Sequence, residues 1–231
     1  GARDMAAVSE EMGKICLGVA TAFLVVHLGS DPILVGGTDE QKRKWLGKVA
    51  EGALVAYAVT EAEAGSNLSN LKTTATTVVD DSGAITGYRI NGTKQFITNG
   101  CGDVCVVVAR SEQAPGFDGL SLFVVPRRLD GRDNYRVAKP EKKFVIRGSA
   151  TCELAFEGSR AELLGARGRG FAEILTFMNE ARVAVAVQGL GLAQAALDDA
   201  TAYAARRVQM DRPIARHELV ADLLLDMRAE V

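Results

Sequence analysis

The sequence predicts an α+β, multi-domain chain: a helical N-terminal part, a middle β-barrel or sandwich domain, and a C-terminal helical-bundle part, both helical parts incomplete. Three observations lead there. Apolar residues recur at helical spacing towards both ends, while the middle is filled by short apolar runs punctuated by Gly and Asn. The last helical run stops without a capping signal. The parts are expected at 1–52, 53–160 and 161–231.

From Met5 to about Gly29, Val8, Met12, Ile15, Val19, Ala22 and Phe23 define one helical face. Thr38-Asp39-Glu40-Gln41 reads as a capping box, in which the threonine hydroxyl and the glutamine side chain satisfy free backbone N–H groups. Trp45, Leu46 and Val49 form the buried face of the helix it starts. Strands are expected at 53–59, 73–80, 85–91, 95–98, 104–109, 120–125 and 151–156. Asp81-Ser82-Gly83, Asn91-Gly92 and Asn99-Gly100 supply turn chemistry between them. From Gly170 the residues Phe171, Ile174, Leu175, Met178, Arg182, Val185 and Leu192 return to helical spacing, with no proline before Pro213. A further helix begins at His217.

Composition narrows the function classes. A net charge of −2 with dispersed basic residues gives no electrostatic footprint for nucleic acid. The apolar run from Ile15 to Leu28 falls short of the roughly 20 residues of a membrane span, and no span is expected. Glu10, Glu11 and Lys14 break a signal-peptide pattern. The expected compartment is the cytoplasm, or the mitochondrial matrix for a eukaryotic source. Cys16, Cys101, Cys105 and Cys152 form no CxxC pair, and the chain has 2 histidines, so no metal site is expected. Cys101 and Cys105 flank a strand start and are expected to be structurally buried. Gly165-Ala166-Arg167-Gly168-Arg169-Gly170 lacks the GK[ST] ending of a phosphate loop and reads as a turn into the long helix.

Two segments carry the chemistry. In Ala56-Tyr57-Ala58-Val59-Thr60-Glu61-Ala62-Glu63-Ala64-Gly65-Ser66-Asn67 a strand runs into a small-residue loop rich in hydroxyl and backbone donors, which a flat polar ligand can approach closely. Asn91-Gly92-Thr93-Lys94-Gln95-Phe96-Ile97-Thr98-Asn99-Gly100 again ends a strand on an aromatic residue and a hydroxyl. Together with Gly36-Gly37-Thr38, Leu163-Leu164-Gly165 and Gly189-Leu190-Gly191-Leu192-Ala193, these segments resemble the acyl-CoA dehydrogenase family across essentially the whole chain. Asn179-Glu180-Ala181-Arg182 with Gln188-Gly189 is similar to the branch that includes methylthiopropanoyl-CoA dehydrogenases.

The resemblance implies an FAD-dependent oxidoreductase that desaturates an acyl-CoA thioester between its α and β carbons, passing hydride to flavin N5. Tyr57, Val59, Thr60, Ser66, Phe96, Ile97, Thr98 and Arg207 would hold FAD, Arg207 from across a subunit interface. Ser66, Asn179 and Arg182 would meet the CoA ester. An electron-transfer flavoprotein is the implied redox partner, and a homo-oligomer the implied assembly, with residues 188–207 near the contact. The catalytic glutamate of the family usually lies on a later helix; a minority place it where this chain has Ala181. Glu180 is the candidate left in the chain, although one residue turns it about 100° around a helix. The chain is therefore expected to be truncated and inactive alone. The alternatives are a non-catalytic FAD- and CoA-binding subunit of a heteromeric dehydrogenase, and a flavin monooxygenase on the same fold. Departures from the family pattern are Ala62 for proline, Asn67 for aspartate, Val145 for glycine and Glu218 for glutamine.

Overall fold

The computed structural model describes residues 2–231. The chain divides into two compact units, one built from Thr21–Ala181 and the other from the segments before and after it.

In the first unit, most of α2 (Leu17–Gly36) precedes α3 (Asp39–Ala50). The expected capping box is present: Gln41 N donates to Thr38 Oγ1 and Thr38 N donates to Gln41 Oε1. With its amide, Gln41 also ties the helix to a strand, donating to Glu162 Oε1 at 2.9 Å and Leu163 O at 2.8 Å. Trp45 is buried, with Leu46 and Val49 packed against the same cluster.

The β-domain comprises β1 (Val55–Ala58), β2 (Thr74–Val79), β3 (Ile85–Thr98), β4 (Val104–Arg110), β5 (Leu120–Pro126), a small hairpin of β6 (Arg128–Leu129) and β7 (Arg132–Asp133), β8 (Arg136–Pro140) and β9 (Thr151–Leu164). Pairing runs in a closed circuit from β4 through β5, β9, β3 and β2 back to β4. The β2–β4 closure is a single bridge, Thr74 to Arg110. Arg110 supports it by donating to four carbonyls, those of Leu71, Ala114, Ser69 and Gly116. Parallel to β4, and on the same edge as β2, lies β1.

Strand alternation sorts the core into two layers. Ala56, Ala58, Tyr88, Ile90, Ile97, Cys105, Val107, Phe123, Leu154 and Phe156 fill the barrel. Val55, Tyr57, Val104, Val106, Val108, Leu122 and Val124 face outward and meet Ile33, Trp45, Ile174 and Phe177 of the helices. β4 is thus buried on both faces, which accounts for its unbroken apolar sequence.

Several expectations need correction. Strands 85–91 and 95–98 are one strand, and Asn91-Gly92 is not a turn. A bulge opposite Asn91 leaves Gly158 in the left-handed region, and Asn91 Oδ1 accepts from Gly158 N at 2.8 Å. A Cβ on Gly92 would stand 2.5 Å from Thr73 Oγ1, so glycine is needed there for close approach. β9 extends eight residues past the expected end at 156, and β8 was not anticipated, because its alternation is broken by Lys139 and Pro140. Cys105 is buried as expected, but Cys101 lies exposed in the turn before β4. The first helical run is interrupted at Cys16 and continues to Gly36, through Pro32. By length and composition α2 is apolar enough to cross a membrane, unlike the shorter run read from the sequence. In the fold it buries Ala20, Leu24, Asp31 and Ile33 within protein.

The second unit contains α1 (Ala2–Ile15), the later part of α4 (Gly170–Arg206), a hairpin of β10 (Val208–Gln209) and β11 (Arg212–Pro213), and α5 (Glu218–Glu230). α1 and α4 meet closely at glycines: a Cβ on Gly13 would lie 2.7 Å from Gln188 O, and one on Gly191 would lie 2.2 Å from Glu10 O. Gly191, within the segment 188–207 expected near a subunit contact, is therefore packed against α1 of its own chain. Leu219, Leu223 and Leu225 of α5 are exposed.

Candidate functional site

The two sequence segments converge where β1 leaves the barrel. Gln95 N donates to Thr60 O at 2.9 Å. The preceding residue, Lys94, is completely buried; its Nζ donates to Val59 O at 2.9 Å and pairs with Glu61 Oε1 at 2.8 Å. Glu61 also accepts from Thr73 N at 3.0 Å and Lys72 N at 2.8 Å. Burial raises the Glu61 carboxyl, but Lys94 and these two donors outweigh it and hold the group below the usual glutamate range. Lys94 is pulled down to about 8 by burial, against the opposing pull of Glu61. Three consecutive residues of the first segment, 59–61, are thus fixed by Lys94 and Gln95 of the second.

Immediately after Lys94 the strand is irregular. Between Lys94, opposite Leu154, and Ile97, opposite Cys152, both Gln95 and Phe96 face Glu153 alone. Phe96 takes a φ of 59°, outside the normal range for a bulky residue. Simple alternation would put Phe96 on the face of Lys94; the bulge instead turns its ring outward, 61% exposed, while Ile97 returns to the barrel core. Ile97 can therefore meet a ligand only through its main chain. Thr98 is half-buried and closes the strand. Asn99, also at positive φ, donates from Nδ2 to Ala22 O and pins the following turn to α2.

Tyr57 points from β1 towards α4, its ring edge-on to Phe177 with centroids 5.2 Å apart. Its hydroxyl is buried and has no hydrogen-bond partner, and burial pushes its pKa up. Gly65 faces open space, Ser66 is exposed, and Asn67 caps a 3₁₀ turn by accepting from Ser69 N. Asn67 thereby does the capping that aspartate would do.

Asn179 and Arg182 are exposed, three positions apart on α4, hence on one face of the helix. Glu180 is exposed too, within electrostatic reach of buried Asp31, whose carboxyl is raised by burial and by Glu180 and lowered by His27. Arg207 is exposed just beyond α4; Ile214 N donates to its carbonyl. In the loop bearing Val145, Lys143 Nζ donates to Ser149 O and Oγ, and Phe144 is 91% exposed.

Lys94 and Glu61 lie within the two segments, and neither has an expected role there. A signal was available: Tyr88, Ile90, Gly92 and Lys94 alternate along one face, so a lysine stands where a core residue is due.

A closed β-domain set between helical segments, with a strand exit bolted to a bulged strand, defines the class. The chain belongs to the acyl-CoA dehydrogenase family. Residues 1–53, 56–159 and 168–231 match the family's N-terminal, middle and C-terminal domains respectively. It is 39% identical over 229 residues to an acyl-CoA dehydrogenase of Bacillus subtilis, covering 95% of this chain and 58% of that one. The structure is similar to butyryl-CoA dehydrogenase from Megasphaera elsdenii, with a TM-score of 0.87 and 35% identity over 96% of this chain and 57% of that one. It is also similar to an acyl-CoA dehydrogenase from Bacillus anthracis solved with FAD, with a TM-score of 0.86 and 33% identity over 97% of this chain and 38% of that one. The chain thus spans under three-fifths of each of these relatives.

Proposed function

We propose that the chain provides one wall of an FAD site and the adjoining CoA contacts of an acyl-CoA dehydrogenase. The observation that carries this reading is the joint between Thr60 and Gln95, which assembles the two family segments into one edge. The residues fit the cofactor: Tyr57 offers an orphaned buried hydroxyl, Phe96 an outward aromatic face, and Gly65 an uncovered backbone. Val59, Thr60, the Ile97 main chain and Thr98 would line the isoalloxazine edge, Ser66 the pyrophosphate, and Arg207 the pyrophosphate of a neighbouring subunit. FAD supplies the hydride acceptor. The protein's part is to orient the thioester, with Ser66, Asn179 and Arg182 against CoA, and to exclude water. Guanidinium suits the phosphate contacts because its fork binds two oxygens at once.

Removal of the α-proton needs a positioned carboxylate. We place that base in the part of the relatives' length not represented here, since position 181 is alanine and Glu180 stands one residue away, about 100° around the helix. The electron acceptor is an electron-transfer flavoprotein, and the assembly a homo-oligomer with residues 188–207 near the contact. The test is anaerobic flavin bleaching by a panel of acyl-CoA thioesters, butyryl-CoA first, on the full-length protein and its Glu180→Gln variant. Bleaching that survives the substitution is expected; bleaching abolished by it makes Glu180 the base, and none with any thioester rejects the activity.

A further inference from the structure

We propose that the buried Lys94–Glu61 ion pair is a positioning device for the flavin-facing edge, setting the backbone of Val59–Thr60 relative to the bulge that presents Phe96. The inference rests on the functional reading above. Its first support is connectivity. Lys94 Nζ reaches both Val59 O and Glu61 Oε1, and the next residue's N–H reaches Thr60 O. One short stretch of β3 therefore holds three successive residues of the strand exit, two by main-chain oxygens and one by its carboxylate. Glu61 is anchored in turn by the N–H groups of Lys72 and Thr73, which carry the chain into β2.

The second support is energetic. A lysine with no solvent exposure gives up its hydration, and an apolar residue of similar volume would commonly serve stability as well or better. Stability alone is a poor reason for the pair. What an ion pair adds over an apolar contact is direction: its donors and acceptors fit one arrangement of the two strands. The third support is location. The bulge at Gln95–Phe96 begins at the residue after Lys94, so the point where alternation fails is fastened by the pair just before it.

The experiment uses the full-length holoprotein and the variants Lys94→Met, Glu61→Gln and the double variant, with Lys94→Arg as a conservative control. Three quantities are read: the FAD dissociation constant by fluorescence, the shape of the flavin absorption band, and the thermal midpoint of the apoprotein. Lys94→Met should weaken FAD by about tenfold or more and alter the band, in line with the loss of a charge-assisted contact. The double variant, free of an unpaired buried charge, should regain most of the apoprotein's thermal midpoint while FAD stays weak and the band stays altered. Recovery of flavin affinity and spectrum along with the midpoint would overturn the inference, leaving the pair a packing element. Single variants that lower the midpoint without touching flavin would overturn it as well. An unaltered protein that takes up no FAD would instead reject the functional reading, and this inference with it.

Discussion

β4 and β3 cross the same barrel under opposite rules. Every residue of β4 from Val104 to Ala109 is buried, and hydrophobic burial alone accounts for the choice of side chain. β3 buries a lysine, exposes a phenylalanine, carries two irregularities in its pairing with β9, and places Phe96 at positive φ. A strand that violates alternation in several ways, yet keeps its place in the barrel, marks a local conflict of the kind that functional sites carry. The regular strand builds the wall, and the irregular one builds the edge proposed to meet FAD.

Mutations can break or sharpen that contrast. Phe123, on the regular strand β5, is fully buried, and Phe123→Ala should destabilise by about 4 kcal/mol in urea unfolding. A loss below about 1 kcal/mol would mean that the barrel interior is not the close-packed core described. Gly92→Ala should lose about 3 kcal/mol, combining a φ of 146° with the collision against Thr73. A tolerated alanine there would show that β3 can relax, and that its irregularity is not tightly held.

Acid offers a subtler probe. The folded-state pKa of Glu61 lies below its unfolded value, so its contribution is complete above about pH 4.3 and is lost as pH falls through the folded value. The thermal midpoint should therefore drop on acidification, and Glu61→Gln should flatten that drop. An unchanged profile in the variant would remove Glu61 from the titrating set. The smallest effect belongs to Phe96: Phe96→Ala should change stability by under about 0.5 kcal/mol because the ring is exposed, while weakening flavin binding. Equal losses of stability in Phe96→Ala and Phe123→Ala would erase the contrast between the regular strands, β4 and β5, and the irregular β3.

Local chemistry was legible in the sequence and long-range chemistry was not. The capping box at Thr38 and Gln41, the burial of Trp45 and the strand status of β4 and β5 depend on neighbours within a few positions, and each reads directly. The break at Cys16 has no such signature, since helical hydrogen bonds run through it from Cys16 N to Met12 O and from Ala20 N to Cys16 O. Asn91-Gly92 misled because the same dipeptide serves a turn or a close crossing, and only Thr73, packed against Gly92, decides between them. The site was found as two segments, but what joins them was invisible. Lys94 is tolerable in a core only because Glu61, 33 positions earlier, folds back against it. Periodicity can flag such a lysine without naming its partner.

The closure of the barrel has a consequence for how it opens. Five of the six contacts between paired strands of the sheet that involve β4, β5, β9, β3 or β2 with one another or with β8 are ladders, whereas β2 meets β4 through one bridge and the guanidinium of Arg110. That seam has the fewest main-chain bonds to lose, so amide exchange with solvent should start there and spread along β2 before β4 and β5 release a proton. With its four carbonyl contacts, Arg110 acts as the latch: shortening it to lysine, which cannot fork, would leave the barrel folded but let it breathe at that one line.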